Sequence, residues 1–254
     1  MHPQLFQFGH LVLPTYGFLV ALGTILALLV CIYTARTLTL DTEKIWSVAL
    51  LAIVTTLVGN KLLSIALAGH PSGSWAFGLS SRGGIGIGIA AAAGIAYARH
   101  LRLPLRRSAD AFAPGLAVGS SVISIGCLEA GSDYGTPTRL PWAVIFRSPV
   151  AGMSGTPLGV PLHPTQIYTS LVDFLLFVLL LWLLHRPHHD GEIMGAWLFL
   201  GGLSSFLLTS LRGEVGPLLS GLVPFTQLVS AVMVLAGAFL WLRYGGATQV
   251  SHSE

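Results

Sequence analysis

A small set of ionisable and amide side chains stands beside apolar segments, and their types sort into cations, acids and one histidine. Lys61 follows Asn60 in LVGNKLLSIAL, Arg82 precedes Gly83 and Gly84, and Arg212 closes an apolar stretch. Cations beside glycines and helix N–H groups suit a phosphate. The bland alternatives are a lysine that snorkels to the membrane surface and arginines that anchor at the interface. Glu129 and Asp133 fall in IGCLEAGSDYG. They are either a solvated helix end or carboxylates that orient a cation or a substrate. His163-Pro164-Thr165-Gln166 leads into Tyr168. That run offers an imidazole able to accept a proton, with an amide and a phenol next to it; a bystander loop histidine is the other reading. Asp110 suits the start of a helix, where a carboxylate meets the positive dipole end. Asp173 reads as a structural partner for a neighbouring helix. Ionisable groups inside apolar spans cost about 2.5–3.5 kcal/mol and mark functional sites by default.

The elements that must position these groups are membrane helices. Of 254 residues, 53% are hydrophobic and only 9% charged, against about a quarter charged in soluble domains. The apolar residues gather in runs long enough to span a bilayer. We expect an all-α integral membrane protein with about seven transmembrane helices, near 11–34, 45–68, 84–98, 110–130, 166–185, 193–211 and 222–242. Residues 1–254 form one polytopic membrane domain with a long outer loop at 131–165. The third helix, GGIGIGIAAAAGIAYA, is rich in small residues that permit close backbone approach, which predicts a place inside the bundle. The fifth, with DFLLFVLLLWLL, is uniformly apolar and is expected to face lipid. The PWAVIF stretch of the long loop is expected along the membrane surface. Residues 1–10 hold no Lys or Arg, so the first run is read as a retained span rather than a cleaved signal.

Lys and Arg in the loops set the orientation. With the N-terminus outside, Arg36, Lys44, Arg99, Arg102, Arg106, Arg107, Arg186 and Arg243 fall on the cytoplasmic side, and Arg82, Arg139, Arg147 and Arg212 on the outer side. The N-terminus is therefore expected outside and the C-terminus in the cytoplasm, which gathers the polar groups at the outer leaflet. Cations near small-residue helices there suggest an anionic lipid headgroup. Net charge is only +3 without a basic block, which argues against nucleic acid. Cys31 and Cys127 form no CxxC pair, and HRPHH at 185–189 reads as a solvated loop, so no metal or cofactor is expected. GMSG at 152–155 echoes an intramembrane serine protease, but Ser154 lies in a Pro-rich loop and the last two spans hold no His. No related halves of the kind found in transporters are visible.

The same residues, taken in order, resemble the bacterial prolipoprotein diacylglyceryl transferase family. The resemblance runs through PTYG (14–17), GNK (59–61), RGG (82–84), DAFAPGLAVG (110–119), ISIGCLEAGSDYGTPTRLPWAVIF (123–146), HPTQIY (163–168) and Arg212. It implies a multi-pass enzyme of the bacterial plasma membrane with its active face outward. The implied reaction moves a diacylglyceryl group from phosphatidylglycerol to the lipobox cysteine thiol of a prolipoprotein, whose signal peptide is the second partner. By that resemblance His163, Arg82 and Tyr16 are catalytic. Lys61, Gly83, Gly84, Gly126, Cys127, Asp133, Gly135, Gln166, Tyr168 and Arg212 would bind substrate. Family charged positions fall on Ser124, Ser132, Ser205 and Thr209 in this chain. The family's Glu after HPxQxY falls on Thr169, and its His before the paired glycines on Arg82. Two readings follow: a transferase whose cations sit at Lys61, Arg82 and Arg212, or an impaired paralogue that kept the lipid cavity.

Overall fold

The computed structural model describes residues 4–8, 11–68, 83–213 and 225–244. Two short strands, β1 (Gln4–Phe8) and β2 (Leu11–Pro14), pair antiparallel ahead of the first helix. The expected span from residue 11 therefore starts later, at α1 (Thr15–Thr37). Pro14 explains the boundary: its φ is fixed and its ψ is extended, which suits the residue just before a helix. The remaining long helices are α2 (Thr42–Ala68), α3 (Gly83–His100), α4 (Leu105–Ala130), α6 (Thr165–Leu184), α7 (Glu192–Thr209) and α8 (Phe225–Tyr244). Six of these seven are long and apolar enough to cross a membrane among the described residues; α3 is the exception. The chain is an all-α membrane protein.

Helices α1 and α4 cross closely, and glycine makes it possible. A methyl group at Gly119 would lie 3.0 Å from Cβ of Ala27, and one at Gly115 only 2.6 Å from the Ala27 carbonyl oxygen. Gly115 and Gly119 are four apart, on one helix face, so two backbones meet without side chains between them. Pro114 lies buried within α4 and cannot donate to the preceding turn. The Thr34 hydroxyl on α1 donates to the nearby Ala111 carbonyl at 2.5 Å, a polar tie between the two helices beside the proline. The α7–α8 contact is built alike, with Gly202 of α7 and Gly237 of α8 against the opposite backbone.

Three positions differ from expectation. α4 begins at Leu105 rather than 110, because Pro104 supplies the extended residue that starts the helix and the Arg106–Arg107 pair lies in its first turn. α3 packs chiefly on α2 and not inside the bundle, with Ile89 and Ile95 each 49% exposed; small residues permit close approach only where they face another backbone. The interior small-residue helix is α4, the most buried of the six spans. α6 does present an apolar outer face through Leu171, Phe174, Leu175 and Val178, while Leu176, Leu180 and Leu184 enter the core.

Asp110 sits at one end of this bundle with its carboxylate fully enclosed. It accepts from the backbone N–H groups of Gly191 (2.5 Å) and Met194 (2.7 Å). These are the free donors at the start of α7. The acid therefore caps a different helix from the one on which it lies, with the dipole logic intact.

At the opposite end, residues 131–165 fold into a cap. Strands β3 (Val144–Ile145) and β4 (Pro161–Leu162) pair antiparallel around a short helix, α5 (Pro149–Met153). Phe146, Ala151 and Leu162 are buried together beneath them, against Leu128 and Tyr134. Within PWAVIF, Trp142 and Ile145 are exposed and Phe146 is enclosed, so the segment presents apolar side chains outward as well as into the cap.

Candidate active site

The site is built where α4 ends. Gly131 closes the helix with φ at +77°, a left-handed conformation glycine adopts without strain. Asp133 also has a positive φ, +55°, a conformation that Asp tolerates better than most residues. Two contacts hold it. The Thr165 hydroxyl donates to its carbonyl at 2.6 Å, and Arg212 Nη1 lies 3.2 Å from its Oδ1. The turn points the Asp133 carboxylate at Arg212, and both side chains remain about a quarter exposed. A pair so open to its surroundings contributes more to geometry than to stability.

Arg212 is fixed by backbone as well. The extended segment after Asp133 bridges antiparallel to Arg212 through Gly135 and to Leu162 through Pro137. Thr136 N donates to Leu211 O at 2.8 Å, Gly213 N to Tyr134 O at 2.9 Å, and His163 N to Thr136 O at 3.0 Å. Three chain segments, from the ends of α4 and α7 and the start of α6, thus meet at one place. Gly135 is required there: a Cβ would collide with the His163 carbonyl.

The remaining side chains gather around this junction. Gln166 is 2% exposed and donates from Nε2 to Ser132 O at 2.6 Å. His163 and Tyr168 stand edge to face, 6.3 Å between centroids, and the Tyr168 hydroxyl accepts from Trp142 Nε1 at 2.7 Å. On α4 the Cys127 carbonyl accepts from Ser132 N at 3.0 Å. Tyr16 of α1 lies against Gly126, one residue before Cys127. Among the described residues three polar atoms of this cluster are buried without a hydrogen-bond partner: His163 Nδ1, Gln166 Oε1 and Arg212 Nε. A buried polar atom with no partner costs about 1–3 kcal/mol, so three at one junction point to a ligand that supplies the missing bonds.

Beside the junction a cavity of about 210 Å³ opens between α4, α6, α7 and α8, with Arg212 in its wall. Asp173 and Ser120 face it, as do Ser204 and Ser205. Asp173 thus meets both the cavity and the neighbouring helix α4, the second as expected from the sequence. A single neighbouring side chain, Ser120, donates to its Oδ2, at 2.5 Å.

The structure brings together Tyr16, Gly126, Cys127, Asp133, Gly135, His163, Gln166, Tyr168 and Arg212. Arg82 and the Lys61 side chain lie outside the described residues. Gly83 and Gly84 open α3, with no contact to the junction described. Of the positions where the family carries charge, Ser132 meets Gln166, Ser205 lines the cavity, and Thr209 bonds back to the Ser205 carbonyl at 2.7 Å. Sequence reasoning missed the cavity hydroxyls. Ser120 and Ser204 are ordinary helix residues with no local signal, and only the crossing of α4 with α6 and α7 makes them neighbours.

Comparison with known proteins places the chain in a family. The family model described as prolipoprotein diacylglyceryl transferase matches residues 3–243. Among curated proteins the chain is similar to the phosphatidylglycerol–prolipoprotein diacylglyceryl transferase of Geobacter sulfurreducens, 31% identical over 251 residues and 92% of each chain. It is likewise similar to the enzyme of that name from Finegoldia magna, 30% identical over 242 residues and 90% of each chain. The Clostridium tetani protein of that name is 28% identical over 254 residues, covering 95% of this chain and 97% of its own.

Proposed function

The chain belongs to the prolipoprotein diacylglyceryl transferase family, and we propose that it transfers a diacylglyceryl group from phosphatidylglycerol to the lipobox cysteine thiol of a prolipoprotein. The observation that carries this reading is the convergence of Arg212, Asp133, His163, Gln166 and Tyr16 at one end of a membrane bundle, with three of their polar atoms lacking partners. The reaction joins a thiolate to the glyceryl carbon that bears the phosphate. The C–S bond forms as the C–O bond to phosphate breaks, and glycerol phosphate leaves with the bonding electron pair. Three things are needed: a cation for the departing phosphate, an acceptor for the thiol proton, and access from the lipid.

Arg212 holds the phosphate, because a guanidinium presents several fixed donors to an anion. Asp133 orients it from behind. Positive charge at the leaving phosphate stabilises the transition state more than the bound lipid, which is what accelerates the step. Lys61 and Arg82 add positive charge to the same anion. His163 accepts the proton from the lipobox thiol, since the thiolate is the nucleophile. Tyr16 donates to a lipid headgroup oxygen. Gln166 and Tyr168 complete the wall, with Cys127 and Gly126 at its floor. Gly83, Gly84 and Gly135 keep backbone close to the substrate.

The face that carries Arg212 points out of the bacterial plasma membrane, the orientation supported by the loop charges, with the N-terminus outside. There phosphatidylglycerol and the signal peptide of an exported prolipoprotein meet at one leaflet. The test is complementation of a bacterial strain depleted of its own transferase, with mass analysis of a lipoprotein N-terminus. Rescue with a diacylglyceryl adduct is expected. No adduct at normal expression would remove the reading.

A further inference from the structure

The cavity beside Arg212 has a lopsided hydrogen-bonding character. A hydroxyl carries one donor hydrogen and two acceptor lone pairs. Thr169 Oγ1 spends its hydrogen on the Thr165 carbonyl (2.9 Å), and Ser204 Oγ spends its own on the Gly201 carbonyl (2.9 Å). Both residues line the cavity, and with their hydrogens spent their hydroxyls have only lone pairs to offer a ligand there. Asp173 adds a carboxylate. Its Oδ2 takes the Ser120 hydrogen, while Oδ1 has no hydrogen-bond partner among the described residues. The walls therefore offer acceptors on α6 and α7, and a strong donor at one corner, Arg212.

A matching ligand carries an anion at one end and hydrogen-bond donors at the other. A phosphate ester whose alcohol still has free hydroxyls fits that description. A single ammonium is a point charge that one carboxylate satisfies. Acceptors spread over two helices suit two hydroxyls on neighbouring carbons better. The volume, about 210 Å³, far exceeds the roughly 30 Å³ share of one water, so a small polar headgroup has room.

We propose that Asp173, oriented by Ser120, is a specificity-determining residue that accepts the hydroxyl hydrogens of a polyol headgroup whose phosphate rests on Arg212. The inference rests on the reading of Arg212 as a phosphate ligand and deepens it. Arg212 takes the anion common to many phospholipids, whereas Asp173 with Thr169 and Ser204 selects the glyceryl alcohol. After transfer the same walls hold the departing glycerol phosphate.

The experiment is native mass spectrometry of the purified full-length protein with three lipids of identical acyl chains. These are phosphatidylglycerol, phosphatidylpropanol (same phosphate, no free hydroxyl) and phosphatidylethanolamine. Wild type is expected to bind phosphatidylglycerol about tenfold more tightly than phosphatidylpropanol. Asp173→Ala should bring phosphatidylglycerol down to the phosphatidylpropanol level and leave phosphatidylpropanol unchanged. Arg212→Ala should weaken both. Ser120→Ala, a milder change in case Asp173→Ala does not fold, should narrow the preference part of the way.

Equal binding of the two lipids by wild type would overturn the proposal. So would preference for phosphatidylethanolamine, which marks an ammonium site, or loss of both lipids in Asp173→Ala, which marks a structural role. Binding is read without turnover, so the two readings fail separately. A protein with the predicted preference but no transfer loses the enzymatic reading alone. One that transfers without headgroup preference loses this inference alone.

Discussion

Two acids on helices of the same bundle have opposite surroundings. Asp110 is wholly enclosed and receives two backbone N–H groups from the start of α7. Asp173 receives one serine hydroxyl and faces an open cavity. The contrast extends to the two ends of the molecule. At the Asp110 end Thr34 also donates, to the Ala111 carbonyl, and the surrounding core is apolar. Among the described residues three polar atoms lack partners at the Arg212 end, against Arg107 Nε and Ser108 Oγ near Asp110, so the difference lies in the carboxylates themselves. A carboxylate whose bonds are met by its own fold is structural. One whose fold leaves room beside it awaits a ligand.

The strongest way to break this comparison is at Arg212. Arg212→Ala should lower transfer about 100-fold or more, the scale of losing a principal transition-state donor. Arg212→Lys should recover only part, because the charge returns without the fork. The check is the initial rate of lipidation of a lipobox peptide, and a rate within a few-fold of wild type would refute the phosphate role. Gly135→Ala should follow at about tenfold or more, since its methyl group strikes the His163 carbonyl and small misplacements of reacting groups are expensive. Helical content by circular dichroism should stay unchanged.

A third test sets the acids against each other. Asp110→Asn should destabilise the protein by about 1–3 kcal/mol, seen as a lower melting temperature, with activity per folded molecule retained. Asp173→Asn should melt near wild type and lose headgroup preference. If both variants changed only stability, the distinction between the two ends would fail. The smallest effect is expected at Trp142→Phe. It removes the 2.7 Å bond to the Tyr168 hydroxyl and should cost a few-fold in rate at most, because the bond is exposed and Tyr168 keeps its contact with His163.

Most helices were legible because membrane spans announce themselves by length and apolarity. The errors fell where two forces give the same local pattern. Leu11–Pro14 is as apolar as the start of a span, yet pairs as a strand, since an apolar run alone cannot separate strand from helix. Arg106 and Arg107 look like loop residues but occupy the first turn of α4. Small residues in α3 suggested an interior helix, whereas closeness depends on which glycines face another backbone, as Gly115 and Gly119 do. Asp133, His163, Gln166 and Arg212 could be picked out as chemically capable groups, and their convergence needed the three-segment junction around Gly135. Asp173 was legible as a partner for a neighbouring helix, which Ser120 of α4 supplies, but the cavity beside it leaves no local sign in a sequence.

The account's central claim is that side chains at the Arg212 end grip a phospholipid headgroup and pass its diacylglyceryl group to a thiol. The direct measurement is the mass of a synthetic lipobox peptide after incubation with purified full-length protein in phosphatidylglycerol vesicles. Wild type should add one diacylglyceryl group on the cysteine sulfur, and Arg212→Ala should add almost none. No mass gain with wild type, or an undiminished gain with Arg212→Ala, would contradict it.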